Sequence, residues 1–192
     1  MLDAQPGHRP PAPGQLALVQ AFLNTHFDLG DSWGSELLHS PGSLRAWLAS
    51  HGLLTAFAPV DESELDRALQ LRRALRRLIE RPGEARALAG LNAVATRAPA
   101  TVAFTASGPR FSSGEDAAPS SALGPLAMIA AVSMLDGTWG RLKLCPGEHC
   151  GWAFYDQSRN RSGRWCSMSV CGARTKARAH YARTRAAERD RR

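Results

Sequence analysis

The chain has 192 residues, 44% of them hydrophobic, and a formal net charge of +7, which is apolar enough for one packed domain plus a small module and too apolar for a disordered chain. The charge is segregated: residues 1–140 carry 11 basic against 13 acidic side chains, a net −2, and residues 141–192 carry 13 against 4, a net +9. The longest mainly apolar stretch, PLAMIAAVSML at 125–135, is about half the roughly 20 residues a spanning helix needs, and MLDAQPGHRPPAPGQ lacks the pattern of a signal peptide, so a cytoplasmic chain with no membrane partner is expected.

In chain order, Pro10, Pro11 and Pro13 mark residues 1–14 as an extended, flexible lead-in, and a first domain is expected over 15–140. LALVQAFLNTH sets Leu16, Val19, Phe22 and Leu23 at helical spacing, and FDLGDSWGSELL reads as a loop. Ser40 before Pro41 reads as an N-cap opening a helix through Leu44, Trp47 and Leu48 to Gly52. Asp61 and Glu64 have capping-box spacing. The stripe Leu65, Ala68, Leu71, Leu75 and Leu78 carries that helix to Arg81, with Arg72, Arg73, Arg76 and Arg77 on its solvated face. After Pro82 and Gly83, EARALAGLNAVATR makes another helix. TVAFTAS alternates as a short strand with a partner near Arg110 and Phe111, SSGEDAAPSS is loop, and ALGPLAMIAAVSMLDG is a last helix.

This first domain carries no G-x-S-x-G, Walker loop, dinucleotide fingerprint or H-E-x-x-H, so a non-enzyme is expected. If it binds a small-molecule effector, the residues around its polar loop are the candidates: Asn24, Thr25, His26 and Trp33. The plainer reading has Asn24 or Thr25 capping a helix end.

All four cysteines fall in CPGEHCGWAFYDQSRNRSGRWCSMSVC, spaced C-x4-C-x15-C-x4-C. Disulfides need an oxidising compartment, and a reactive thiol needs to be set apart from its neighbours. Two matched pairs suit a tetrahedral metal instead, so Cys145, Cys150, Cys166 and Cys171 are read as ligands of one Zn(2+) per chain, structural because no position is left for water. WAFYD and GRWCSM are read as the arms of a hairpin around SRNRSG, with Trp152, Phe154 and Trp165 as a small core. From Cys171 on, GARTKARAHYARTRAAERDRR is a helix without one large aliphatic residue, made to stay wet. Arg159, Arg161 and Arg164 on the turn, and Arg174, Lys176, Arg178, Arg183 and Arg185 on the helix, form a surface suited to phosphate and guanine edges.

The residues CPGEHC, then Phe154, Asp156, Ser158, Arg159 and Asn160 as F-x-D-x-S-R-N, then RWCSMSVCGAR at 164–174, resemble the CGNR zinc-finger proteins. In that family the finger follows an N-terminal ABATE domain, and members are regarded as stress-induced transcriptional regulators of bacteria. Ala173 stands where the family name has Asn; that Asn is no cysteine, so the ligand set is unaffected. The resemblance implies that double-stranded DNA is the partner of the finger and that the N-terminal domain senses a signal or assembles the protein, a homodimer being one such assembly.

The expected fold is α+β, mainly α. A helical domain with a small antiparallel β element fills 15–140, a four-cysteine zinc finger of knuckle, hairpin and helix fills 141–185, and a basic tail fills 186–192. A second reading makes the first domain a ligand-binding or enzymatic module and the finger an RNA- or protein-docking element.

Overall fold

The computed structural model describes residues 5–27, 35–106, 108–114 and 118–190. Helices α1 (Leu16–Leu23), α2 (Pro41–Ser50), α3 (Glu62–Glu80), α4 (Ala85–Arg97) and α5 (Gly124–Leu135) build the body. Strands β1 (His26–Phe27) and β2 (Ser35–Glu36) pair antiparallel within the stretch read as a loop. Strands β3 (Thr101–Thr105) and β4 (Gly108–Ser112) form the expected hairpin, with Val102 opposite Phe111 and Ala103 opposite Arg110. The finger adds β5 (Leu142–Leu144), β6 (Ala153–Tyr155) and α6 (Ala173–Asp190), the last entered through a wide π turn at Met168–Gly172. The class is α+β and mainly α.

Local chemistry starts α2 and α3 where the sequence places them. Ser40 accepts from the Ser43 amide while the Ser43 hydroxyl accepts from the Ser40 amide, with Pro41 in the first turn. Asp61 and Glu64 exchange the same reciprocal bonds at the head of α3. Leu71 and Leu75 of α3 are fully buried in one core with Val19, Phe22 and Leu23 of α1 and Leu126 of α5.

The finger is not pendant on this body. β6 pairs with β5, with Ala153 opposite Leu144 and Tyr155 opposite Leu142. Because neighbouring side chains on a strand point to opposite faces, Ala153 and Tyr155 join the body core while Trp152 and Phe154 join the cysteine cluster. The body also satisfies the strand's backbone. Asn24 accepts from the Ala153 amide at 2.7 Å and donates to its carbonyl at 2.9 Å, and Gln20 donates to that carbonyl at 3.1 Å.

The region read as a flexible lead-in is packed from Gln5 onward. Gln5 is buried, and its side-chain oxygen accepts from Gln20 at 2.8 Å and from the Trp152 indole at 2.9 Å. Arg9 donates to the carbonyls of Cys166, Trp165 and Tyr155 at 3.0 to 3.2 Å, and its guanidinium lies 4.9 Å from the Phe154 ring centre. A short 3-10 turn at Pro6–His8 opens this segment, and the carbonyls of the finger hold it down.

Of the arginines read as solvated, Arg72 is buried and Arg76 half-buried. Arg72, 4% exposed, forks onto both oxygens of Glu36 and donates to Thr25 at 2.8 Å. Arg76 donates to the carbonyls of Leu23, His26 and Gly151, joining α1, β1 and the finger. Helical periodicity shows which side of α3 they occupy but not the distant carboxylate and carbonyls that receive them.

Replacing Asn24 by Ala leaves the Ala153 amide buried without its acceptor. The expected loss is about 2 kcal/mol in urea unfolding, whereas His39→Ala on the exposed α2 approach should stay within about 0.5 kcal/mol.

Candidate metal centre and basic surface

The four cysteine sulfurs lie within 4.8 Å of one another and all four residues are buried. Cys150 and Cys166 sulfurs are 3.7 Å apart and Cys166 and Cys171 sulfurs 3.5 Å. A tetrahedral zinc with bonds of about 2.3 Å requires sulfur edges of about 3.8 Å, so the geometry fits one ion. Hydrogen bonds from Cys150 and Cys166 draw the Cys145 thiol far below its ordinary value, while the bond with Cys145, helped by burial and opposed by the bond with Cys166, pushes Cys150 up to about 12. Sulfurs held this close carry several negative charges only when a cation sits between them, which a structural zinc provides. Gly147 makes the first knuckle possible: a Cβ there would come within 3.1 Å of the Cys171 sulfur.

The hairpin of the finger differs from the sequence reading. WAFYD pairs with the LKL of β5 across the first cysteine pair and not with GRWCSM across SRNRSG. The reason is Asp156, whose side chain is fully buried and organises residues 156–163 into a closed turn. It accepts from the amides of Ser158 at 3.0 Å and Gly163 at 2.8 Å and from the Lys143 ammonium at 2.6 Å. Lys143 also reaches the carbonyls of Arg161 and Gly163, and Arg141 reaches those of Asp156 and Ser158. The backbone that would have formed the second arm is therefore spent on one carboxylate and two cations. Gly163 has to be glycine, since a Cβ would lie 2.5 Å from the Asp156 carboxylate.

That turn presents Arg159, Arg161 and Arg164, all exposed, with Arg161 in the left-handed region at φ 52° and Arg164 5.0 Å over the Trp165 ring. α6 presents Arg174, Lys176, Arg178, Arg183 and Arg185, also exposed. Among its described side chains none is buried, so this helix of about 27 Å projects from the zinc centre. Arg174 and Arg178 are brought together in one notch with Thr175 and His149, whereas the three turn arginines sit on a separate element.

The residues read as a ligand site are placed otherwise. Asn24 and Thr25 are fully buried, Asn24 on Ala153 and Thr25 between the Phe22 carbonyl and Arg72. His26 is half-exposed with Nδ1 3.5 Å from Glu36, and Trp33 lies outside the described residues. A cleft of about 780 Å³ opens elsewhere on the body, between α1, the end of α2 and the β3–β4 hairpin, lined by Leu18, His51, Leu53, Arg110 and Phe111. No local sequence pattern joins those residues, because they come from three separate parts of the chain, α1, the end of α2 and β4.

Residues 5–137 match the family model ABATE, described as "Putative stress-induced transcription regulator", and residues 141–184 match the CGNR zinc finger. No curated protein matches the chain.

Burial pushes the Asp156 carboxyl up, but the bonds from Lys143, Ser158 and Gly163 outweigh it and hold the group well below the usual carboxylate range. A depressed native value means that acid protonates the unfolded chain first, so this stabilisation is complete above the unfolded value near 3.9 and is lost as pH falls below it. Asp156→Asn should cost about 2 kcal/mol, measured by urea unfolding. The difference from wild type should be constant from about pH 5 to 8 and shrink only below about pH 4.

Proposed function

From a chain that belongs to the ABATE family and ends in a CGNR zinc finger, we propose a DNA-binding transcriptional regulator in which zinc positions an arginine surface for duplex DNA. The observation that carries the reading is α6, a projecting helix rich in arginine with no buried described side chain, rooted in a four-cysteine centre. A helix with no apolar face gains nothing from a protein core or a membrane surface, and its guanidinium groups match phosphate geometry. The net charge of +9 in 141–192 gives the electrostatic attraction, and four thiolates around a zinc remove about two of those charges without changing the sign.

Division of labour follows from rigidity. The turn at 156–163 is fixed by Asp156 and Lys143, which makes Arg159 and Arg161 the residues that read base edges, while Arg183 and Arg185 on the outer half of α6 contact phosphates. The body, with its net −2, adds no attraction of its own and takes the sensing part, the cleft beside His51 and Arg110 being the seat for a small effector. Asn24 holds the finger in place in this reading, and Thr25 positions Arg72.

Fluorescence anisotropy with duplex DNA from upstream of the gene, against unrelated duplex and RNA, tests the proposal. With about six phosphates neutralised, log K against log salt should have a slope near −5, from about −0.9 per phosphate. Arg161→Ala should weaken the upstream duplex more than unrelated duplex, and Arg185→Ala should weaken both alike and flatten the slope by about one. Equal affinity for the three nucleic acids in all variants would contradict sequence-directed DNA binding.

A further inference from the structure

Between the first cysteine knuckle and α6 lies a notch of about 230 Å³, lined by Glu148, His149, Cys171, Arg174, Thr175 and Arg178. It is smaller than the pockets that take drug-sized ligands and suits a single anionic group. Arg174 and Arg178 are one helical turn apart, so both guanidinium groups border the same space. The zinc knuckle fixes the opposite wall, because Gly147 packs directly on Cys171.

One carboxylate stands where such an anion would bind. One oxygen of Glu148 accepts from Arg178 Nη1, and the other lies 3.5 Å from His149 Nε2. The other acids of 141–192 are elsewhere: Asp156 is buried in its turn, and Glu188 and Asp190 lie at the far end of α6. Glu148 and Arg178 are 61% and 56% exposed, and an ion pair so exposed is weakly held and screened by salt. A DNA phosphate offers the same donors an anion of equal charge and releases condensed counterions as it binds, which the carboxylate does not.

We infer that this notch is a phosphodiester site and that Glu148 is its built-in occupant, holding Arg178 in the free protein and giving it up to a backbone phosphate. The inference rests on the DNA reading above and adds to it both a site and a brake. No covalent bond changes: the carboxylate swings into water and a phosphate oxygen takes its place on Arg178. Glu148 thereby lowers affinity for every duplex, in the same measure whatever the sequence, because the group it competes with carries no base information.

The test is anisotropy of the full-length, zinc-loaded protein with the upstream and an unrelated duplex, for wild type, E148Q, R178Q, the E148Q/R178Q double variant and E188Q. E188Q removes the same charge from the far end of α6 and is the control for general electrostatics. E148Q should tighten both duplexes about fivefold at 0.1 M salt with the salt slope little changed, because Arg178 takes the same phosphate in both proteins, whereas R178Q should flatten that slope by about 0.9. E188Q should give less than half of the E148Q gain, and in the R178Q background the E148Q gain should vanish. Duplex binding by wild type with no gain in E148Q, with an equal gain in E188Q, or with a gain that survives in R178Q overturns the inference while leaving the DNA reading intact. Absence of duplex binding by wild type and E148Q alike overturns both.

Discussion

Strand β6 is the constraint on which the rest of the molecule depends. Three residues long, it is buried on both faces: Ala153 and Tyr155 belong to the body core, Phe154 and the preceding Trp152 to the metal cluster. Its edge is completed by side chains of another element, with Asn24 supplying the acceptor and donor that a neighbouring strand would have supplied to Ala153. A buried amide left without a partner costs about 1 to 3 kcal/mol, so the finger sits well only in the one register where Asn24 and Gln20 meet it. Arg9 and Arg76 tie the finger to the body from two further directions, each through finger carbonyls. Zinc and body thus grip the same short segment.

Function follows from what this seam leaves uncovered. Both faces of β6 are spent, and the eight basic side chains that sequence reading selected stand exposed on the Asp156 turn, just after it at Arg164, and on α6. The metal fixes where α6 begins, the seam fixes the metal relative to the body, and the cleft at the β3–β4 hairpin lies on that same body. A physical route runs from that cleft to the finger through α1, whose Gln20 and Asn24 touch β6 and whose Leu18 lines the cleft.

What the sequence made legible is what local chemistry determines. The caps at Ser40 and Asp61, the alternation of TVAFT and the paired cysteine spacing each carry their cause within a few residues. What stayed hidden was set by partners far along the chain. Arg72 and Arg76 look solvated on a helical wheel because Glu36 and Gly151 are not on the wheel. WAFYD and GRWCSM look like two arms, because the carboxylate of Asp156 that diverts the second arm is one residue in a polar run. One signal was available and stood in plain view: Gln20 and Asn24, four residues apart, are polar positions on the apolar helix LALVQAFLN, and both are fully buried. An amide in such a place has a partner elsewhere in the fold.

Body and finger are joined into one unit by β6 and the zinc centre. Native-state hydrogen exchange tests it directly, comparing the Ala153 amide with the α3 core amides of Leu71 and Leu75 before and after zinc is removed with a chelator. Protection at Ala153 and in α3 should fall together on metal removal. Full protection of α3 alongside free exchange at Ala153 would show instead a finger that folds on its own and merely rests against the body.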